Sequence, residues 1–372
     1  MKCERQHKGG EEGHCVCTNC SDAAITTVDK CLDYNYPLLI SVIIPVHNGG
    51  EMLRCCLEEI KSAYFVEHEL IVVVDGGTDG SADLAKQYTA RVISRPTAGG
   101  PAAARNLGAN SASGDIFLFI DADVVIHPSV IRKVMQAFHA YPNVSAIIGS
   151  YDDSPSASNF LSQYKNLFHH YTHQEAHEKA STFWGACGAI RREAFFEVGG
   201  FDEKYGKPSI EDIDLGYRLR KNGHRILLFK NLRVKHLKRW NILSLLKADF
   251  FYRALPWTVL IMKEGKMIDD LNLKVSSRIS VMCIYLLALT FLGSFYSPWF
   301  LVPAGPLIIL VLSLNWNLYR FFKDKRGIGF ALKSIPWHWL YFLYCGLAFF
   351  IGYSKHQIKR LAYGFNHSAG RR

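Results

Sequence analysis

Asp121-Ala122-Asp123 ends the apolar run Ile116 to Ile120. In an extended chain, residues i and i+2 leave on the same side, so these two carboxylates repel unless a cation lies between them. Side by side they offer hard oxygen ligands to Mg2+ or Mn2+, ions that complete their shell with water and substrate phosphates. The same spacing also suits a solvated turn. Asp75 ends a second apolar run, Val72-Val73-Val74. It reads either as a turn former before Gly76-Gly77 or as an acceptor for a nucleobase or ribose. "GGPAAARNLGAN" (99–110) opens a helix with Gly-Gly-Pro and places Arg105 within its first two turns. That arrangement suits a diphosphate or a surface ion pair. Glu211 and Asp212 begin "EDIDLGYRLRKNG". Carboxylates are favoured in a helix's first turn, and Asp212 has the chemistry of a general base if it faces a hydroxyl. His236 is a candidate third metal ligand. Trp184 and Gly185 are candidates for shaping an acceptor pocket, although a Trp beside small residues also suits a core.

These residues need a frame that brings them together. The apolar runs Leu39–Val46, Leu70–Val74, Arg91–Ser94, Ile116–Ile120 and Ser145–Gly149 read as short buried strands. Helical patterns lie between several of them, which implies an α/β domain with a parallel sheet covered on both faces. In such sheets the ligand crevice forms at the C-terminal strand ends. The polar groups His47-Asn48-Gly49-Gly50, Asp75 to Ser81, and Asp121-Ala122-Asp123 all fall there. A helix is expected from Glu211 to Asn222, stopped by Gly223.

In chain order, "SVIIPVHN" (41–48), "IVVVDGGTDGS" (71–81), "GGPAAARNLG" (99–108), "FIDADVVI" (119–126), "GACGAIRREAFFEVGGFDE" (185–203) and "EDIDLGYRLRKNGHRI" (211–226) closely resemble the family-2 glycosyltransferases. The resemblance covers about residues 39–236. It implies the GT-A fold, a Rossmann-like nucleotide-diphospho-sugar transferase domain, and inverting transfer of a sugar from a nucleotide-sugar donor with Mg2+ or Mn2+. By motif, Asp75 would contact the base and Arg105 the donor. Asp121 and Asp123 would bind metal and diphosphate, with His236 near the metal. Asp212 would deprotonate the acceptor, and Pro45, Asn48, Trp184, Gly185 and Glu211 would line the substrates. The loop 75–81 is one residue shorter than the family's usual Asp-Asp-Gly form. "HLKRW" (236–240) keeps only the Arg-Trp of the motif found in processive synthases. Transfer of a single sugar is therefore the expectation; the donor that the resemblance implies is UDP- rather than GDP-linked. The alternatives are a processive polysaccharide synthase and an inactive glycosyltransferase-like membrane scaffold.

The remainder of the chain points to a membrane. Residues 279–319 and 334–354 contain no Asp, Glu, Lys or Arg, and about 20 apolar residues suffice to cross roughly 30 Å of hydrocarbon. Spans are expected over about 279–297, 299–319 and 334–354, preceded by an amphipathic interfacial segment, 241–278, and followed by a basic tail, 355–372. The net charge of +10 then faces anionic headgroups, and no motif accompanies it that would make nucleic acid a partner. Together these features predict a multi-pass protein of a bacterial inner or plasma membrane with its catalytic domain, 38–240, in the cytosol. The acceptor would be a lipid or lipid-linked glycan. The first 37 residues, with Cys3, Cys15, Cys17, Cys20 and Cys31, are expected to be a flexible leader or, less simply, a metal clip. Under the positive-inside rule the basic residues after 354 should lie with the cytosolic ones, yet three crossings would place them outside.

Overall fold

The structure is a computed structural model that describes residues 38–63, 67–88, 90–265 and 267–369. The cysteine-rich leader lies outside the described residues. Strand β1 (Ile40–Val46) leads to α1 (Gly50–Ser62), β2 (His68–Asp75), α2 (Ser81–Lys86), β3 (Arg91–Arg95), α3 (Pro101–Ser111) and β4 (Ile116–Ile120). Next come β5 (Val124–Ile126), α4 (Val130–Ala140), β6 (Ala146–Tyr151), α5 (Phe160–Gln174) and β7 (Cys187–Arg191). Helices α6 (Arg192–Glu197) and α7 (Glu211–Lys221) and strand β8 (Ile226–His236) complete the α/β unit.

One sheet runs in the order β3-β2-β1-β4-β7-β6-β8-β5. Strands β1 to β4 pair in parallel, as their apolar runs predict. The wholly parallel expectation fails beyond β4, because β7 is antiparallel to both β4 and β6, and β5 is antiparallel to β8. The sequence hides β7 by its composition. Cys187-Gly188-Ala189 is small and Gly-containing, so it resembles a turn, yet it is fully buried between two strands. Strand β4 is the apolar centre: all five residues are buried, and Phe119 packs edge-on against Phe183 and Phe201.

Beyond the sheet lie α8 (Ile242–Lys247), a π-helical turn (Ala248–Ala254), α9 (Leu255–Glu264), α10 (Val275–Gly293), α11 (Ala304–Leu314), α12 (Trp316–Arg326) and α13 (Ile328–Ala369). Two helical stretches, Val275–Gly293 and Ile328–Ile358, are long and apolar enough to cross a membrane. The stretch 299–319 is not one helix. A 3-10 turn (Pro298–Leu301) precedes α11, and the axis bends by 62° into α12. At the break, the Asn315 side-chain amide donates to Val311 O (2.8 Å) and Ser280 Oγ (2.9 Å).

A buried polar contact joins the C-terminal helices to the α/β unit. Asp249, in the π-turn, accepts from Lys165 Nζ of α5 (2.5 Å) and from Tyr344 OH of α13 (2.8 Å). Removing one member of a buried ion pair leaves an uncompensated charge, at a cost of about 3–5 kcal/mol. Lys165→Met is therefore expected to lower the thermal unfolding midpoint of detergent-purified protein. Adding Asp249→Leu should recover most of that loss. A double variant no more stable than the single one would show that the two residues are not coupled.

Candidate active site

The sheet delivers its polar residues to one edge. Asp121 follows β4, and its backbone N–H is held by Ala186 O. Asp123 is fixed next to His236 because β5 and β8 pair with Val124 opposite His236, and Leu237 N donates to Asp123 O (2.9 Å). Helix α3 enters from the sheet's other half and brings Arg105. Helix α7 brings Glu211 and Asp212 at its N-terminus, and the 184–186 loop brings Gly185.

Arg105 ties these segments together. Its guanidinium is buried (4% exposed) and donates through Nη2 to Asp121 Oδ1 (2.6 Å) and through Nη1 to Glu211 Oε1 (2.9 Å). It lies over the Phe201 ring, and its buried Nε has no hydrogen-bond partner. Burial would lower its pKa, but Asp121, Glu211 and Asp212 raise it, so the cation is held firmly charged. Of the carboxylate pair, Asp121 thus already has a cationic partner within the protein. Glu211 is buried and also accepts from Ser209 N (2.9 Å).

Asp212 sits beside this ion pair. Its Oδ2 accepts from Gly185 N (3.0 Å) and its Oδ1 from Ile213 N (2.8 Å). Burial and then the Glu211 charge push its carboxyl up to about 6, against the pull of the Gly185 N–H, Arg105 and Arg253. Gly185 is required here: a Cβ would lie 2.9 Å from Arg105 Nη2 and 3.0 Å from its Cζ, displacing the guanidinium.

The other expected residues are placed as follows. Asp75 is buried at the end of β2, where its carboxylate accepts from Gly99 N and Gly100 N and pairs with Arg95 (3.2 Å). It clamps the turn that starts α3. Asn48, at positive φ, accepts from Thr78 N (2.9 Å), and Pro45 lies in β1 opposite Val73. Trp184 is buried in an aromatic cluster with Tyr151, His169 and His173.

Of the expected triad of Asp121, Asp123 and His236, the last two are neighbours. His236 stacks face-on against Tyr151 (4.4 Å between centroids), and its Nε2 stands 3.7 Å from Asp123 Oδ2. Among the described residues, no three His, Cys, Asp or Glu side chains converge as an ion cage. The donor chemistry nevertheless fits an ion that arrives with its own oxygens. Burial and the neighbouring Asp123 push Asp121 up, although Arg105 pulls it down; Asp123 is held low, despite burial, by the adjoining imidazole and Lys238. One or two carboxylates are what Mg2+ commonly takes from a protein when phosphate and water supply the rest.

Sequence reasoning passed over Tyr151, His169, His173 and Arg253. Tyr151 ends strand β6, so the strand-end rule that found Asp75 also applies to it. His169 and His173 are spaced i, i+4 on α5, one helix face. Burial holds both neutral, His173 at about 4. Arg253 comes from the π-turn. Asp249 and Asp212 keep it charged against burial.

Comparison with known proteins bears on the fold. Residues 41–199 match the family model described as glycosyl transferase family 2, and residues 165–240 match that of the N-terminal domain of galactosyltransferase. Glycosyltransferase GlyG of Streptococcus pneumoniae is 30% identical over 118 residues, 30% of this chain and 39% of that protein. Validoxylamine A glucosyltransferase of Streptomyces hygroscopicus subsp. jinggangensis is 26% identical over 220 residues, 50% of this chain and 52% of that one. The chain thus spans about half or less of these curated relatives. Among solved structures, mannosyltransferase PcManGT from Pyrobaculum calidifontis, in complex with GDP-Man and Mn2+, superposes with a TM-score of 0.56 at 16% identity. That match covers 85% of this chain and 88% of the other, so the likeness of fold extends into the C-terminal helices. The chain therefore has the GT-A fold and carries, over residues 41–199, a glycosyltransferase family 2 domain.

Proposed function

We propose that the protein is an inverting glycosyltransferase that moves one sugar from a nucleotide-diphosphate sugar, UDP- rather than GDP-linked, to a lipid or lipid-linked glycan at the cytosolic face of a membrane. The observation that carries this reading is Arg105 bridging Asp121 and Glu211 beside Asp212, because four motif residues from three separate segments meet at one point. Asn48, Pro45 and the Asp75-clamped turn border the nucleoside end, and Asp121 and Asp123 the diphosphate end. A divalent ion held by these two carboxylates would supply positive charge to the departing diphosphate. Asp212 takes the proton of the acceptor hydroxyl. That oxygen bonds to the anomeric carbon from the face opposite the diphosphate, whose C–O bond breaks, so the configuration inverts. Trp184 and Gly185 border the acceptor. The buried ion pair keeps Arg105 fixed while charge moves, which is the sense in which a preorganised site lowers the barrier.

The test is a screen of nucleotide sugars with and without Mg2+ or Mn2+, with mass spectrometry of extracted lipid. One added hexose and one released nucleoside diphosphate are expected; a ladder of products would indicate a polymerase instead. A carboxylate acts as a base only when ionised. With the Asp212 carboxyl at about 6 in the free protein, kcat/KM should be flat above pH 7 and fall about tenfold per unit below 6. A profile unchanged down to pH 4.5 would remove Asp212 from this role.

A further inference from the structure

Helix α13 meets the α/β unit near its start and, at Gly352, meets α9, which is itself anchored to that unit. Near its start, Phe330 packs on Phe160 of α5 (5.1 Å between ring centroids), and Lys333 lies over the same ring. Further on, Tyr341 meets Phe168 and Tyr344 donates to Asp249. At Gly352 it touches α9 so closely that a Cβ would stand 2.7 Å from Thr258 Cγ2. Helix α9 is itself joined to α7 by Trp257 Nε1–H donating to Tyr217 OH. Lys355 then lines a groove with Lys204, Tyr205 and Phe251.

From Phe330 to Gly352 an α-helix advances about 33 Å, as much as the roughly 30 Å hydrocarbon core. A crossing helix would carry those two points to opposite faces of the bilayer. An α/β unit in water on one face could not pack on Phe330 and also, through α9 and across the groove at Lys355, hold the helix at Gly352. The side-chain pattern agrees. Ala331, Ser334, His338, Phe342, Ala348 and Gly352 are buried on one stripe. Leu332, Leu343, Leu347, Phe350 and Ile358 form an exposed apolar stripe on the opposite side, at helical spacing.

The α10–α11 hairpin carries a second exposed apolar surface. Tyr285 OH donates to Leu343 O (2.8 Å), which fixes where α10 crosses α13. Past that point α10 exposes Leu289, Phe291 and Leu292 and turns at Tyr296, 90% exposed. Tyr296 is 11 residues beyond Tyr285, a reach of about 16 Å, half the hydrocarbon thickness.

From this geometry we infer that the chain sits in a single leaflet: α13 lies flat at the interface, and α10–α11 form a re-entrant hairpin. Both the catalytic domain and the end of α13 face the same aqueous side. The partner of the exposed stripe is the acyl layer of one leaflet, and Lys355 and Arg360 lie with the other basic residues, as the positive-inside tendency requires. Three crossings are not needed. This conclusion does not rest on the sugar-transfer reading.

The test uses the full chain with a C-terminal epitope, in right-side-out and inside-out membrane vesicles. The protein should remain in the membrane through an alkaline carbonate wash. Protease should remove the epitope only in vesicles that expose the catalytic domain. In a Tyr296→Cys variant, an impermeant maleimide applied to the opposite face should add no label beyond that of the parent chain. An epitope cleaved from the opposite face, tip labelling there, or recovery in the soluble fraction would each overturn the single-leaflet arrangement. No activity is read, so the outcome is separate from that of the sugar-transfer assay.

Discussion

Asp212→Asn is expected to reduce kcat about a thousandfold, within the range that a positioned general base contributes, while leaving nucleotide affinity within a few-fold of the parent. Asparagine fills the same volume, and its carbonyl still accepts from Gly185 N–H, which stands 3.0 Å from Asp212 Oδ2. It has no basic form at neutral pH, so the acceptor hydroxyl keeps its proton. The residual rate should lose the acid limb near 6, because the group responsible, raised by burial and by Glu211, is gone. Equilibrium binding of the nucleoside diphosphate by calorimetry, beside the rate, separates a lost base from a collapsed site. A matching loss in both would mean that the residue holds the loop rather than the proton.

Arg105→Met should destabilise the domain by about 3–5 kcal/mol, read as a lower urea midpoint at pH 7.5. The magnitude follows from what is left behind. Glu211 is only 4% exposed and would retain one hydrogen bond, from Ser209 N. Asp121 has 32% of its side chain exposed and can rehydrate. Most of the loss therefore comes from Glu211, and Arg105→Met/Glu211→Gln should recover part of the midpoint but none of the activity. Arg105→Lys should retain more stability than Met and still be slow, because an ammonium cannot bridge two carboxylates with the planar fork of a guanidinium. A loss below about 1 kcal/mol for the Met variant would place the contact among exposed ion pairs.

Much of the α/β half was legible because its information is local. The strands β1 to β4 are continuous apolar runs, a parallel sheet buries both faces, and the residues that follow each strand necessarily collect at one edge. Asp75, Asp121 and Asp123 could thus be assigned to that edge from the sequence. Strand β7 could not be read, because Cys187-Gly188-Ala189 is determined by the space between β4 and β6 rather than by its own propensity. Helix α5 also went unread, since its buried face carries Asn166, His170 and His173 as well as Leu161 and Leu167.

The sequence alone determined which chemistry the chain carries: a carboxylate pair, an arginine at a helix start and an acidic helix N-terminus, in a fixed order. Tertiary structure alone decided their partners. Arg105 and Glu211 are 106 positions apart yet form one buried ion pair, and His236 stacks on Tyr151 beside Asp123. Likewise, hydropathy measures how apolar 334–354 is, but not which way the helix points. Direction depends on where both ends are held, by Phe160 and Thr258, and contacts between distant segments leave no periodic trace in the chain.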